Sequence, residues 1–294
     1  MPDIMSDRPK TVIDIVRRAI SQSYERLTVH ESELQTGDDP ESVHQARVAT
    51  RRLRSDLRTF EAFVDPTWAA DLRADLQWLG AELGAVRDLE VQRDRLRTHA
   101  AGLPTAEGEN ARRVVRRLDA DRAAAKVDLI SMLHDARYEH VRTKLAAAAE
   151  SPAFTSAACA PASEVLTKVV RARWKKIRRA VHELSDYPPD DALHAIRVHA
   201  KKCRYAAEAC EPALGKPARR FARAMANLQE TLGEHHDAVV AVQWLTKTAH
   251  ECSPAEAYAI GMLAQVEWAA ASDARAAFPG AWRRVDTKRV RGWL

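Results

Sequence analysis

Glycine and aromatic residues are both scarce in this 294-residue chain, which has ten glycines and 6% aromatic residues. Alternating runs of β-branched residues, the pattern typical of strands, are also missing. Alanine and arginine are abundant, and both are good helix formers, whereas glycine is a poor one. The composition therefore predicts an all-α protein, and its 46% of hydrophobic residues are enough for a packed core.

Cysteine is also rare, and long apolar runs are missing. The four cysteines, at positions 159, 203, 210 and 252, form no CxxC pair and have no disulfide-like spacing, which favours a reducing compartment. The first ten residues, MPDIMSDRPK, lack the apolar stretch of a signal peptide. No run of about 18 apolar residues occurs, so we expect a cytoplasmic protein without a transmembrane helix.

What the chain does contain is an internal repeat with an offset of 149–150 residues. VHQARVATRRLR, which begins at Val43, matches LHAIRVHAKKCR, which begins at Leu193. Further along, LGAELGAVRDLEV matches LQETLGEHHDAVV, so that Gly84 and Asp88 coincide with Gly233 and Asp237. The blocks keep their order, which predicts one domain over 8–290 made of two related halves, 8–150 and 160–290.

Clusters of Pro, Gly, Asp and Ser divide each half into four predicted helices, because these residues start or stop helices. In the first half the helices cover 9–35, 40–64, 66–98 and 108–149, and in the second half 162–184, 190–211, 216–249 and 254–277. The expected fold is therefore all-α, with two pseudo-symmetric four-helix bundles packed as one helical domain.

Basic side chains form a stripe beside the apolar stripe in both copies of the first repeated block. With His44 as the origin, Arg47, Arg51, Arg54 and Arg58 fall between about 280° and 340°, and the apolar residues fall between about 160° and 260°. The second copy repeats the stripe with His194, Arg197, Lys201 and Arg204. A solvated face usually lies opposite the core and mixes both signs of charge, which this stripe does not.

The positive charge is concentrated in three segments. Residues 44–58 carry a net +4, residues 194–208 carry +3, and KVVRARWKKIRR at 168–179 carries +7, so the rest of the chain carries −9 within a total of +5. Cations packed together repel one another unless an anion is present. Arg and Lys side chains in rows suit a ligand with many phosphate oxygens.

Two motifs carry a resemblance to a known family. HxxRVxxRRxR at 44–54 and HxxRVxxKKxRY at 194–205, each followed later by an LGxxxD element, resemble the CHAD domain, a helical domain named for its histidines. The resemblance covers about 10–285 and includes both copies of the motif. It implies binding of inorganic polyphosphate and association with polyphosphate granules. The ExExK signature of the catalytic domain found in some members is missing, so the resemblance implies a stand-alone binder and not an enzyme.

Carried over by position, the resemblance implies a set of polyphosphate contacts on the two basic segments and no cofactor or metal. The implied contacts are His44, Arg47, Arg51, Arg52, Arg54, Arg58, His194, Arg197, Lys201, Lys202 and Arg204.

Three alternatives remain open. Basic segments also suit a nucleic-acid-binding helical module, although the few aromatic residues argue against stacking platforms for bases. Alternatively, the arginines pair with acidic residues on neighbouring helices. His134-Asp135 and His236-Asp237 suggest a metal-dependent polyphosphate hydrolase. However, Asp237 aligns with Asp88, which follows Arg87, so the His-Asp pair is not part of the repeated framework.

Overall fold

The computed structural model describes residues 11–30, 33–34 and 40–294, with Pro40 described by its backbone alone. Apart from two isolated β-bridges, every regular element in these ranges is helical. A short 3-10 helix, Ser156–Cys159, lies between the halves. The α-helices are α1 Val12–Val29, α2 Pro40–Thr59, α3 Pro66–Ala101, α4 Thr105–Val115, α5 Arg117–Leu133, α6 Ala136–Glu150, α7 Ala162–His182, α8 Asp190–Leu214, α9 Lys216–Ala249, α10 Pro254–Val285 and α11 Lys288–Arg291.

Polar caps and one glycine fix several helix ends where the sequence predicts breaks. The Asp65 side chain accepts a hydrogen bond of 2.8 Å from the Trp68 amide at the start of α3. The Ser253 and Glu256 side chains form a capping box at the start of α10. Gly215 joins α8 to α9 with φ +68°, a backbone conformation that residues other than glycine rarely adopt.

The structure corrects the predicted helix over 108–149, which is three helices. The first break lies at Arg116, between α4 and α5. The second lies at His134 and Asp135, where the Asp135 carboxylate accepts a hydrogen bond of 2.7 Å from the Arg137 amide and starts α6. Both breaks let short helices turn back toward the core, which one straight helix of that length cannot do.

Other predicted ends also move. The last long helix continues past 277 to Val285 through the exposed Pro279, because Phe278, Ala281 and Val285 keep its apolar face buried. The helix predicted over 40–64 ends at Thr59. The prediction over 9–35 falls partly outside the described residues, within which α1 covers Val12–Val29.

A single large apolar cluster contains residues from both halves. It includes Val16 and Leu53 from the first half and Val170 and Leu228 from the second. Trp174 lies buried in this cluster, stacked on Trp282 with 5.3 Å between ring centroids. A second, smaller cluster joins the far ends of α3 and α9 to α4 and α10.

Helices α2 and α8 lie at the centre of the molecule. Helix α2 packs against α1 and α3, α8 packs against α7 and α9, and the two central helices contact each other. Because the two basic segments lie on α2 and α8, this contact brings their cations together. Within the described part of the chain, no helix combines the length and the apolar character needed to cross a membrane.

Candidate functional site

An open cavity of about 560 Å³ lies between α2, α8 and the start of α3. Ser55, Gln77 and Tyr205 supply polar groups to its wall, and three small apolar side chains complete it. No acidic side chain among the described residues lines it. Six cationic side chains do, and we call this set the cationic cavity: Arg51, Arg54, Arg58, Arg73, Lys201 and Lys202.

Lys201 shows how strongly the cations in this cavity act on one another. Burial and the neighbouring Arg51, Arg197 and Arg47 guanidinium groups lower the pKa of Lys201 to about 7. A lysine ammonium normally stays charged up to pH values of about 10. The closely packed cations therefore destabilise the charged form of Lys201. An anion in the cavity would restore that charged form.

Lys202 belongs to a group of cations at one end of the cavity, which we call the basic corner: Arg58, Arg173, Lys176 and Lys202. Burial and the charges of Arg58, Arg173 and Lys176 lower the pKa of Lys202. Arg173 on α7 donates a hydrogen bond of 2.6 Å to the Arg58 carbonyl oxygen. The third basic segment of the sequence thus joins the other two.

Arg47 and Arg197 do not line the cavity; each turns toward the LGxxxD element of its own half. The Arg47 guanidinium donates to the Asp88 carboxylate at 2.7 Å and to the Gly84 carbonyl oxygen at 3.4 Å. Arg197 lies 4.0 Å from Asp237. The repeated motif therefore encodes one contact twice: an arginine over a glycine, next to an aspartate one turn further on.

Arg52 and Arg204 lie on the other side of the contact between α2 and α8, around Glu208. Arg52 donates to the Glu208 carboxylate and, at 3.3 Å, to Asp56. The Arg204 Nε atom lies 3.2 Å from a Glu208 oxygen. Both guanidinium groups also lie near the Tyr205 ring, at 5.4 and 4.9 Å from its centroid.

Asp56 is fully enclosed beneath these arginines. Burial raises the pKa of Asp56 to about 7, against the opposing effect of Arg52. One of its carboxylate oxygens has no hydrogen-bond partner.

The two motif histidines stand at the heads of the stripes, outside the cavity wall. Burial and the charge of Arg87 lower the pKa of His44. His194 lies against His236, with 3.1 Å between their Nδ1 atoms. Burial and the Arg197 charge lower the pKa of His236 to about 4. These rings are neutral at pH 7 and present hydrogen-bonding nitrogens, not charge.

Of the sequence-predicted contacts, the structure thus brings Arg51, Arg54, Arg58, Lys201 and Lys202 to one cavity. Arg73, which comes from α3 and lies 3.9 Å from Glu61, was not among the predicted contacts, and neither were Gln77 and Tyr205. Arg73 and Gln77 lie outside the repeated blocks, so no motif pointed to them. For Arg173 and Lys176 the +7 segment was the available signal.

The residues behind the hydrolase alternative have other roles. His134 and Asp135 end one helix and start the next, as described above, and Asp237 faces Arg197. Within the described ranges, no three His, Cys, Asp or Glu side chains lie close enough together to hold a metal ion.

The fold and the site define an all-helical domain with a cationic cavity between two repeated helices. The family model of the CHAD domain matches residues 18–246, so the chain belongs to the CHAD domain family. An uncharacterized protein of Mycobacterium tuberculosis, Rv2226 in strain H37Rv and MT2285 in strain CDC 1551, is 29% identical over 296 residues. The match covers 97% of this chain and 56% of that relative, so the chain spans about half of the relative's length.

Two solved structures share the fold. PptA from Streptomyces chartreusis superposes with a TM-score of 0.79 at 22% identity, over 94% of this chain and all of that one. The CHAD domain of the plant Ricinus communis gives a TM-score of 0.66 at 24% identity, over 98% of this chain and 92% of that one.

Proposed function

We propose that this chain binds inorganic polyphosphate in the cationic cavity, without catalysis and without a cofactor, and that this binding recruits it to polyphosphate granules in the cytoplasm. The observation that carries the proposal is the composition of the cavity wall: six cations and, among the described residues, no carboxylate. Polyphosphate has about one negative charge per phosphate and no bases, so a site made of charge alone suits it.

The motif residues outside the cavity support its geometry in this proposal. Arg47 and Arg197 fix α2 to α3 and α8 to α9 through their aspartates, and their charges act on Lys201. His44 and His194 can donate hydrogen bonds to a strand that extends beyond the cavity. A bound anion would stabilise the charged form of Lys201. Binding should therefore be more favourable at neutral pH, where this proton is available, than at alkaline pH.

The test is a titration with long-chain polyphosphate over a series of salt concentrations, with DNA and RNA at equal phosphate concentration as competitors. We expect tight binding that weakens steeply with salt and survives nucleic-acid competition. Equal or tighter binding of DNA would instead identify a nucleic-acid-binding module. Metal-dependent phosphate release from polyphosphate would show an enzyme.

Matched variants locate the site. Arg54→Gln removes a charge from the cavity, and Arg113→Gln removes the same charge from an exposed position on α4, at the far end of the molecule. Loss of one phosphate contact should weaken binding and reduce the slope of log affinity against log salt by about 0.7. We expect this change for Arg54→Gln alone; equal effects of both variants would contradict a localised site.

A further inference from the structure

The repeat gives the basic corner an equivalent on the other side of the contact between α2 and α8. An offset of 150 residues relates Arg58 to Glu208 and Lys202 to Arg52. The same offset relates Lys176 to Arg26 and Arg173 to Ser23. The structure keeps this equivalence, because Ser23, Arg26, Arg52 and Glu208 line one small cavity of about 110 Å³. We call them, with Asp56, the Glu208 corner.

The two corners differ in charge. The basic corner has four cations. The Glu208 corner has two cations, Arg26 and Arg52, and two carboxylates, Glu208 and Asp56; a further cation, Arg18, lines the same small cavity. Asp56 has no acidic counterpart in the repeat, since its equivalent is Ala206. The same helical framework therefore presents cations without carboxylates on one side and pairs cations with carboxylates on the other.

Glu208 also forms ion pairs with the cations that would otherwise line a second cationic cavity. Arg54 and Lys202 line the cationic cavity, and their equivalents in the repeat are Arg204 and Arg52. Glu208 contacts both of these equivalents, through Arg204 Nε at 3.2 Å and through the Arg52 guanidinium. A carboxylate held between two guanidinium groups takes the place that a phosphate group would need.

We propose that Glu208 ends the polyanion tract and confines polyphosphate to one side of the repeated framework, a specificity role that rests on the proposed function. A bound strand occupies the cationic cavity and the basic corner. At the Glu208 corner, the Glu208 carboxylate repels phosphate and holds Arg52 and Arg204, and the buried Asp56 also holds Arg52. The repeat thus forms a single tract, and Glu208 sets how many phosphates one chain contacts.

The test compares Glu208→Gln with Glu251→Gln, in polyphosphate titrations over a salt series. Both changes remove one negative charge, but Glu251 lies at the far end of the molecule, 3.5 Å from Arg117. Freeing Arg52 and Arg204 should make the salt slope steeper by about 0.7 per additional phosphate contact, so by about 0.7 to 1.4. The number of phosphates covered per chain should rise with it. Glu251→Gln should match the wild type.

Equal slopes and site sizes for the wild type and Glu208→Gln would overturn the inference, as would an equal change in Glu251→Gln. Circular dichroism checks that Glu208→Gln is folded, and Arg58→Glu gives an independent test. Arg58→Glu places an acid at the equivalent position in the basic corner, so it should shorten the tract and lower the slope by at least about 0.7. A wild-type protein that does not bind polyphosphate would defeat the proposed function itself.

Discussion

At the scale of the residue, Lys201 is the side chain of the cationic cavity whose pKa its surroundings shift furthest. Arg51, Arg47, Arg197 and Arg204 all act on it, and together with burial they lower its pKa to about 7. Among the described residues, none of the groups that act most strongly on Lys201 is a carboxylate. In the proposed complex, a bound phosphate would supply the missing negative charge, so the complex would hold a proton on Lys201 that the free protein loses above pH 7.

We therefore expect polyphosphate affinity to fall as the pH rises from about 7 towards the ordinary lysine pKa of about 10.4. In this window the complex binds more protons than the free protein, so raising the pH favours dissociation. The fall is at most about tenfold per pH unit for one proton. Burial and neighbouring cations also lower the pKa of Lys202, so this residue should change the affinity in the same direction. The measurement is the dissociation constant between pH 6.5 and 9.5 at constant ionic strength.

Lys201→Arg is the matched control for this pH dependence. An arginine keeps its charge throughout the window, so the variant should bind with a flatter pH profile while retaining affinity at neutral pH. A wild-type affinity that does not change between pH 7 and 9, or an unaltered pH profile in Lys201→Arg, would show that binding does not change the protonation of Lys201.

The residue scale is also where sequence alone predicts the site least completely. The angular positions of Arg51, Arg54 and Arg58 on α2 place them on one flank, and the structure finds them in one cavity. Arg47 shares that flank but is held by Asp88 from another helix. Which arginines are paired depends on acids far away in the chain, and a helical wheel does not contain that information.

At the scale of the element, α3 and α9 each present a glycine to an arginine of a neighbouring helix. A Cβ built on Gly84 would lie 3.9 Å from the Arg47 guanidinium carbon, and one on Gly233 would lie 3.7 Å from Arg197. These are ordinary van der Waals distances, so a methyl group fits, whereas a larger side chain would displace the guanidinium. Gly108 in α4 differs, because a Cβ there would lie 2.9 Å from the Ala100 carbonyl oxygen.

Gly84→Ala and Gly108→Ala should consequently have opposite effects on stability. Replacing glycine by alanine inside a helix favours folding by about 0.5 to 1 kcal/mol where space allows. Gly84→Ala should gain part of this folding free energy and should still bind polyphosphate. Gly108→Ala should be destabilised, because a backbone carbonyl cannot move aside as a flexible side chain can. Denaturant unfolding of both variants measures the difference, and a stabilised Gly108→Ala would contradict this account of the α4 contact.

Helices themselves were largely predictable, because their caps and breakers are local. Asp65, Gly215 and Ser253 end or start helices at the predicted places. The division of 108–149 into three helices was not predicted, since Arg116 and His134 are not breakers by type. The break at Arg116 serves the packing of α4 against α10, and the break at His134 serves the packing of α6 against α1; both are contacts between distant parts of the chain.

At the scale of the whole molecule, the two halves share one apolar core while dividing the charge unequally. The large cluster joins Leu53 on α2 to Val170 on α7 and Leu228 on α9. The repeat predicts the two-half organisation, but the chemical difference between the corners follows from single positions, Ser23, Asp56 and Glu208, at which the repeats diverge. Their effect becomes visible only when α2 and α8 are in contact.

Because the halves share this core, we expect them to unfold together. Leu53→Ala removes a side chain that is 2% exposed, and such a truncation costs about 2 to 5 kcal/mol. Although Leu53 lies in the first half, the loss should lower the protection of core amides in both halves equally. Hydrogen exchange with mass spectrometry, which resolves peptides from 8–150 and 160–290, measures this.

Val127→Ala supplies the control, since Val127 is 66% exposed and its truncation should change stability by no more than about 0.5 kcal/mol. If Leu53→Ala lowered protection in the first half alone, the halves would be separate cooperative units joined by a weak interface. The cationic cavity, whose wall combines side chains of α2 and α8, would then open without global unfolding. Equal loss in both halves means instead that the site persists for as long as the common core does, so a bound polyanion should stabilise the whole chain by mass action.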